Sequence, residues 1–198
     1  MLAYAFWLLA GYLIGSIASA VLVCKLMGKQ DPRSEGSQNP GTTNVLRLHG
    51  KLAAVLTLLG DAMKGFLPVL LANLFEMPAL AIALCALGAF LGHLYPVFFQ
   101  FRGGKGVATF VGVLLGMYWP LGLSFIASWL TMAFIFRYSS VSALTAAALT
   151  PLFTLWLSAE PAFVISNTLM AALLFWRHRS NIKNLVAGNE DKIGTDKT

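Results

Sequence analysis

The fold depends most on how one apolar stretch is divided: GVATFVGVLLGMYWPLGLSFIASWLTMAFIF, residues 106–136. As a single helix this stretch would extend roughly 46 Å, whereas the hydrocarbon core of a bilayer is about 30 Å thick. Pro120 stands near its middle, where proline breaks or begins a helix. We therefore expect two short or tilted helices here, with one long helix as the alternative.

Further apolar runs flank this stretch and cover residues 4–24, 52–75, 79–99, 141–157 and 161–176. The chain of 198 residues is 58% hydrophobic and only 11% charged, whereas about a quarter of a soluble domain is charged. This composition excludes a soluble protein. It predicts an all-α, polytopic membrane helix bundle that forms a single domain, residues 1–198, with a cytoplasmic tail at 177–198.

The distribution of basic residues predicts the topology. The clusters lie at residues 25–51, at Arg102 and Lys105, at Arg137, and from Arg177 to the end. If 106–136 crosses twice, the bundle has seven transmembrane helices with the N-terminus outside and the C-terminus inside, and every cluster is cytoplasmic. Five spans, with 141–176 merged into one, are the alternative and would move only Arg137. We predict seven.

The first apolar run is interpreted as a membrane helix rather than a cleaved leader. It carries Gly11, Gly15 and Ser19 at four-residue spacing, which is typical of a helix-packing face. Cys24 and Cys85 lie within apolar runs, so we expect free thiols with no disulfide and no metal-ligand spacing.

The first polar segment is GSQNPGTTNVLR, residues 36–47, called motif 1 below. Its hydroxyl and amide groups are dense, and its glycines and proline impose turns. The possible donors in and beside it are Ser34, Ser37, Asn39, Thr42, Thr43, Asn44 and Arg47. A plain polar connector is the alternative. Because Arg47 adds a fixed charge, the segment favours phosphate binding.

The second polar segment is RGGKGVAT, residues 102–109, called motif 2. It is not a P-loop, because Phe99 stands where the first glycine is needed and Gly106 follows Lys105 where Ser or Thr is needed. Two interpretations remain. The glycines form a short anion-binding nest at a helix N-terminus, or the segment is an interfacial turn with a snorkelling lysine.

Further polar side chains adjoin the later apolar runs. In HRSNIKNLVAGNE, residues 178–190 and called motif 3, His178 and Asn181 are spaced to share a helix face, although a topological anchor is the alternative. Ser139, Ser140 and Ser142 follow Arg137, and their hydroxyls are suited to donate to an anion.

Two ionisable residues, Asp61 and Lys64, lie inside the second apolar run, where charge is costly. An intrahelical ion pair is the favoured interpretation, and a functional pair is the alternative. For His93, near the end of the third run, we expect a structural hydrogen bond.

The three motifs resemble those of a known family, the bacterial acyl-phosphate-dependent glycerol-3-phosphate acyltransferases (PlsY family). The matching segments read GSQNPGTTNVLR, GGKGVAT and HRSNIKNLVAGNE, and Asn184 stands where a basic residue is common. The resemblance covers essentially the whole chain. It implies a seven-helix membrane bundle that moves a fatty acyl group from acyl phosphate to the 1-hydroxyl of sn-glycerol 3-phosphate. The products are lysophosphatidic acid and phosphate, in phospholipid biosynthesis.

The resemblance and the donor pattern together give a candidate site. The predicted catalytic residues are Ser37, Arg47, Lys105, His178 and Asn181. The predicted substrate-binding residues are Gly36, Asn39, Gly41, Thr42, Thr43, Asn44, Gly103, Gly104, Gly106, Ser140 and Ser142. Because an acyl phosphate carries a good leaving group, the chemistry needs positioning and charge neutralisation rather than a covalent nucleophile. No cofactor and no metal are expected.

The resemblance also implies a cellular setting. It places the protein in the bacterial cytoplasmic (inner) membrane, among membrane lipid, with the active site facing the cytoplasm. A soluble partner enzyme would supply the acyl phosphate, and no nucleic acid is involved. A transporter of phosphorylated metabolites is the alternative. The absence of internal repeats and the placing of all motifs on one face argue against it.

Overall fold

The computed structural model describes residues 1–194, and every regular element in that range is helical. The α-helices are α1 Leu2–Gly15, α2 Ser19–Leu26, α3 Thr42–His49, α4 Lys51–Leu74, α5 Ala79–Leu94, α6 Val107–Met117, α7 Trp119–Phe136, α8 Ser139–Leu157, α9 Pro161–Arg177 and α10 Arg179–Val186. A short 3-10 turn, Val97–Phe99, follows α5. The predicted all-α architecture is confirmed.

Within the described residues, 5 helical segments are long and apolar enough to cross a membrane: Leu2–Leu26, Lys51–Leu74, Ala79–Phe99, Trp119–Phe136 and Ser139–Leu157. Two shorter apolar helices are Val107–Met117 and Pro161–Arg177. The chain is therefore an all-helical integral membrane protein, as its composition predicts.

The stretch 106–136 contains two helices, as predicted. Tyr118 separates them in an extended conformation, with φ −158° and ψ 105°. Pro120 lies in the first turn of α7, where its missing N–H and fixed φ suit a helix start. Residues 158–160 likewise separate α8 from α9, so 141–176 is not one continuous helix.

The contacts divide the chain into two compact units, residues 1–117 and the part that begins at Tyr118. In the first unit, α1 packs on α5 and α4 packs on α6. Gly11 and Gly15 lie so close to α5 that a Cβ would overlap its backbone, which confirms their predicted packing role. Ser19 lies beyond the interruption between α1 and α2, and it faces α4 instead.

The first apolar run still provides one candidate span, but it is not the single uninterrupted helix that was expected. Residues 16–18 interrupt it. Ser16 Oγ donates to the Tyr12 carbonyl oxygen at 2.8 Å, a bond that bends helices. Lys64 Nζ, from α4, donates to the Ile17 carbonyl oxygen at 2.7 Å. The break is therefore stabilised by a buried ammonium group that satisfies a carbonyl released from the helix.

The second unit contains α7 to α10, with α8 packed between α7 and α9. The segment after α10 docks on the turn between α7 and α8. The Arg137 carbonyl oxygen accepts from the Ile193 N–H at 2.6 Å, and Arg137 Nη2 donates to the Ile193 carbonyl oxygen at 3.1 Å. The Lys192 ammonium lies 5.6 Å from the centroid of the Tyr138 ring. These contacts order the polar tail as far as the described residues extend.

Candidate active site

Motif 1 is a loop that leads into α3, and the buried Asn44 side chain organises it. Asn44 Oδ1 accepts from the Ser37 backbone N–H at 3.0 Å. Its Nδ2 donates to the carbonyl oxygens of Pro32 at 2.9 Å and Glu35 at 3.2 Å. These bonds engage both the oxygen and the nitrogen of the side-chain amide. We therefore propose that Asn44 supports the loop, in place of the predicted substrate binding.

The other polar side chains of motif 1 are accessible. Ser37, Thr43 and Arg47 are exposed, and Asn39 and Thr42 are partly exposed. Thr43 and Arg47 are four residues apart on α3, so they project from one helix face. The loop and the first turns of α3 therefore present hydroxyl groups and one guanidinium to a ligand.

The two glycines of motif 1 shape this loop. Gly36 has φ +59°, a left-handed conformation, and a Cβ there would lie 2.5 Å from Asn44 Oδ1. Gly41 precedes the first residue of α3, and a Cβ there would lie 2.6 Å from Asn39 Nδ2. Both glycines were predicted to bind substrate. The nearest side chains to the two positions belong to motif 1 itself, Asn44 on α3 and Asn39 in the loop.

Motif 2 ends at the start of α6, and its glycines pack on the last turn of α5. The Gly104 N–H donates to the His93 carbonyl oxygen at 3.2 Å. A Cβ on Gly103 would overlap that same oxygen, and a Cβ on Gly104 would overlap the His93 ring. The predicted nest of amides therefore does not include the Gly104 N–H. Gly106 has φ +93°, which favours glycine at that position too.

Arg33 joins the loop before motif 1 to the turn before motif 2. Its guanidinium donates to both carboxylate oxygens of Asp31, at 3.0 Å and 2.7 Å, and to the Phe99 carbonyl oxygen at 3.2 Å. The hydrogen bond from Arg33 holds the pKa of Asp31 below its usual value. Sequence reasoning missed this pair. The available signal was two opposite charges flanking Pro32 in a loop.

A buried cluster of three ionisable side chains lies beside motif 2. Lys64 Nζ lies 2.7 Å from Asp61 Oδ1, and His93 Nδ1 lies 3.6 Å from the same oxygen. None of the three side chains is more than 5% exposed. The predicted intrahelical ion pair is confirmed.

A small cavity marks the meeting of motifs 1 and 2. It is lined by Ala18, Pro40, Asp61, Lys64, His93, Pro96, Gly103 and Gly104. Its volume is about 10 Å³, which is enough for about one water molecule. No substrate of the expected size fits there. The cavity lining joins residues of both motifs to the buried cluster of Asp61, Lys64 and His93.

Motif 3 lies in the second unit. His178 is the N-cap residue of α10 and is 3% exposed. Its Nδ1 lies 2.8 Å from the Leu174 carbonyl oxygen, which can only accept, so Nδ1 carries a proton. Asn181 Nδ2 donates to Glu190 Oε1 at 2.7 Å. Sequence reasoning gave Glu190 no role.

The serines at the start of α8 differ in their bonding. Ser142 Oγ donates to the Tyr138 carbonyl oxygen at 2.9 Å. Ser140 is 4% exposed, and its Oγ has no hydrogen-bond partner among residues 1–194. A buried hydroxyl without a partner is costly, so Ser140 is the better candidate of the two to donate to a ligand.

The described residues contain no group of three or more His, Cys, Asp or Glu side chains arranged to hold a metal ion. Cys24 and Cys85 are buried free thiols, as predicted. The candidate residues carry hydroxyls, amides and basic side chains in each of the two units.

The comparison with known families decides what these motifs belong to. The family model described as Glycerol-3-phosphate acyltransferase matches residues 5–188, a range that includes motifs 1 and 2 and all of motif 3 except its last two residues. The chain belongs to the glycerol-3-phosphate acyltransferase family.

Two members of this family illustrate the similarity. The chain is 55% identical to a glycerol-3-phosphate acyltransferase of Thioalkalivibrio sulfidiphilus over 94% of its own length and 92% of the relative's. It is 54% identical to one of Methylococcus capsulatus over 95% and 96% of the two lengths.

Solved structures show the same fold. The chain is similar to PlsY (YgiH), an integral membrane glycerol 3-phosphate acyltransferase, in its glycerol 3-phosphate form, with a TM-score of 0.91 and 37% identity. The lysophosphatidic acid form of that protein gives a TM-score of 0.89 and 36% identity. Both comparisons cover 97% of this chain and 96% of the solved one.

From the pair of Asp31 and Arg33 we expect a pH-dependent difference in stability between wild type and the Asp31→Asn variant. The folded-state pKa of Asp31 is lowered, so the pair stabilises the protein above the unfolded-state pKa of about 3.9 and stops doing so as pH falls through the folded value. At pH 7, Asp31→Asn should be less stable by at most about 1 kcal/mol, because the pair is partly solvent-exposed.

Thermal unfolding in detergent checks this expectation at neutral and acidic pH. The difference in midpoint between wild type and Asp31→Asn should shrink as the pH falls below the unfolded-state pKa of about 3.9, towards the lowered folded-state value. A difference that is the same at both pH values would contradict it.

Proposed function

We propose that this protein transfers a fatty acyl group from acyl phosphate to the 1-hydroxyl of sn-glycerol 3-phosphate, and so produces lysophosphatidic acid and phosphate for phospholipid synthesis. The observation that carries the proposal is the similarity, at a TM-score of 0.91, to PlsY in its glycerol 3-phosphate form. The second solved form of that protein is named for lysophosphatidic acid, the product of such a transfer.

The proposed reaction forms one bond and breaks one. The 1-hydroxyl oxygen attacks the acyl carbonyl carbon, and the bond from that carbon to the phosphate oxygen breaks, so inorganic phosphate leaves. The hydroxyl proton passes either to a substrate phosphate or to Nε2 of His178. We assign Ser37 and Arg47 to the acyl-phosphate oxygens, where charge moves during transfer. Asn181, held by Glu190, supports the same activity.

We assign phosphate binding to the remaining polar groups. Lys105, partly exposed in motif 2, supplies a full positive charge close to the buried glycines. Asn39, Thr42 and Thr43 supply neutral donors from motif 1, and the partnerless hydroxyl of Ser140 supplies one from α8. Two phosphorylated substrates explain why several separate groups of donors are present in one chain.

We further propose that seven helices cross the bacterial inner membrane, with the N-terminus outside and the catalytic motifs facing the cytoplasm. The division of 106–136 at Tyr118 and of 141–176 at residues 158–160 supports this count. The basic clusters support the orientation, because all of them are then cytoplasmic. A cytoplasmic site would receive acyl phosphate from the soluble enzyme that makes it. The chain would act as one acyltransferase domain.

Single cysteines test the orientation. With a membrane-impermeant thiol reagent on intact cells, Glu76→Cys should react, whereas Gln38→Cys and Arg137→Cys should not. The native thiols provide a low background because both are buried. Labelling of Gln38→Cys would overturn the cytoplasmic placement of motif 1. Labelling of Arg137→Cys without that of Gln38→Cys would support five spans.

The activity itself is tested with purified protein in detergent. We expect release of phosphate from palmitoyl phosphate, together with lysophosphatidic acid formation, only when glycerol 3-phosphate is added. Release of phosphate without an acyl acceptor would indicate a hydrolase. Neither product, from well-folded protein that binds glycerol 3-phosphate, would contradict the proposal and favour a transporter.

A further inference from the structure

Two of the three buried glycines of motif 2, Gly103 and Gly104, share one neighbour, His93. Gly104 donates its N–H to the His93 carbonyl oxygen, and the space where a Cβ of Gly104 would lie is filled by the His93 ring, with Nε2 as the nearest atom. Gly103 lies against the backbone of the same residue, at its carbonyl oxygen. The requirement for glycine at both positions is thus explained by packing on α5, before any ligand is considered.

The other side of the His93 ring faces a buried ion pair. Its Nδ1 faces the Asp61 carboxylate at 3.6 Å, and Asp61 is bound by Lys64 at 2.7 Å. Lys64 also donates to the Ile17 carbonyl oxygen at the break after α1. Thr109, the last residue of motif 2 and part of α6, donates from Oγ1 to the Asp61 carbonyl oxygen at 2.9 Å. Buried bonds therefore connect α1, α4 and α6 to Asp61, whose carboxylate faces the His93 ring.

We propose that His93, oriented by Asp61, is a positioning residue for glycerol 3-phosphate: the imidazole sets the path of Gly103 and Gly104 and thereby places Lys105 for the substrate phosphate. This inference rests on the proposed function. On this explanation, glycine is required at position 104 because the His93 imidazole occupies the space where a Cβ would lie. The alternative is that the substrate itself needs this space.

The two explanations differ in what relieves a Gly104→Ala change. Asparagine at position 93 retains a polar group close to the place of Nδ1, so it still reaches Asp61, and it lacks the distal part of the ring. Glutamine extends to the place of Nε2 and fills the space that the new methyl group needs. His93→Asn should therefore accommodate Gly104→Ala, whereas His93→Gln should not.

A double-mutant cycle in steady-state kinetics tests this with both substrates varied. Gly104→Ala alone should raise KM for glycerol 3-phosphate about tenfold or more, with a much smaller change in kcat and in KM for acyl phosphate. In the His93→Asn background the same change should raise KM less than about threefold, and in the His93→Gln background by as much as in wild type. Equal KM ratios in all three backgrounds would overturn the proposal.

Gly103→Ala is the matched control, because its Cβ would overlap the His93 carbonyl oxygen, which no side-chain change at position 93 removes. Its effect should be the same in every background, and rescue by His93→Asn would contradict the assignment. If His93→Asn is not recovered folded, His93→Ala takes its place in the cycle.

A measurement without substrate separates this inference from the proposed function. Gly104→Ala should lower the thermal midpoint of the unliganded protein, and His93→Asn should reduce that loss. If wild type lacks acyl transfer but the midpoints follow this pattern, the proposed function fails and the contact between His93 and Gly104 stands. If wild type is active and neither KM nor the midpoint shows coupling, this inference alone fails.

Discussion

Arg47→Ala is expected to lower kcat by about 10- to 150-fold and to leave KM for glycerol 3-phosphate near its wild-type value. Arg47 is exposed on α3, and we assign its guanidinium to the acyl-phosphate oxygens, on which charge increases as phosphate leaves. A charge-assisted hydrogen bond is worth about 1.5–3 kcal/mol, and its loss in the transition state alone gives that range of rates. Steady-state kinetics with each substrate varied in turn measures the effect.

Lys51→Ala is the matched control for Arg47→Ala, since Lys51 is an exposed cation four residues further along, outside motif 1. Its kcat should stay within about twofold of wild type, because an isolated exposed charge contributes little. If Lys51→Ala and Arg47→Ala lower the rate equally, the effect of Arg47 is one of general surface charge. A change confined to KM would mean that Arg47 binds substrate and transition state alike.

The same assignment predicts a loss of turnover for Ser37→Ala, with Ser34→Ala as its control. The Ser34 hydroxyl donates to the Asp31 carbonyl oxygen, so its removal perturbs the same loop without removing a group assigned to catalysis. A Ser37→Ala enzyme with wild-type kcat would show that motif 1 has a different task from the one proposed.

The helical membrane fold was predictable because it follows from hydropathy and length. The division of 106–136 was predictable for the same reason, and Pro120 marked the position closely. The pairing of Asp61 with Lys64 was predictable because helical spacing brings residues three apart together. In each case the decisive interaction lies within one segment of the chain.

The supporting contacts of the candidate site depend instead on distant segments, so the sequence could not reveal them. Asn44 bonds backbone groups in a loop whose path depends on its turns. His93 and Gly104 meet only because α5 is followed by a turn that returns motif 2 to its last residues. The sequence thus predicted polar residues and glycines as candidates. For Asn44 and Gly104 it could not distinguish contact with a ligand from contact with the protein.

The second large effect concerns the buried pair: Asp61→Asn and Lys64→Met should each lower folded yield more than the double change does. Each single change leaves one charge in a site where side chains are no more than 5% exposed. Breaking such a pair costs about 3–5 kcal/mol, whereas removing both charges is far less destabilising. The double variant should still fall below wild type, because the Ile17 carbonyl oxygen loses the ammonium that satisfies it. Monodisperse yield after size-exclusion chromatography and thermal midpoints in detergent measure this order.

The control for this comparison is Lys51→Met, which removes an exposed charge from the start of the same helix and should leave the yield unchanged. The order of the three buried variants then distinguishes two roles for the pair. If both single variants fold as well as wild type but lose activity, Asp61 and Lys64 act in the chemistry rather than in folding. If the double variant is the least stable of all, the pair contributes more than the desolvation of its two charges costs. We expect instead that the double variant is more stable than either single variant. That order would mean that the pair persists because it holds the break after α1 and the ring of His93 in place.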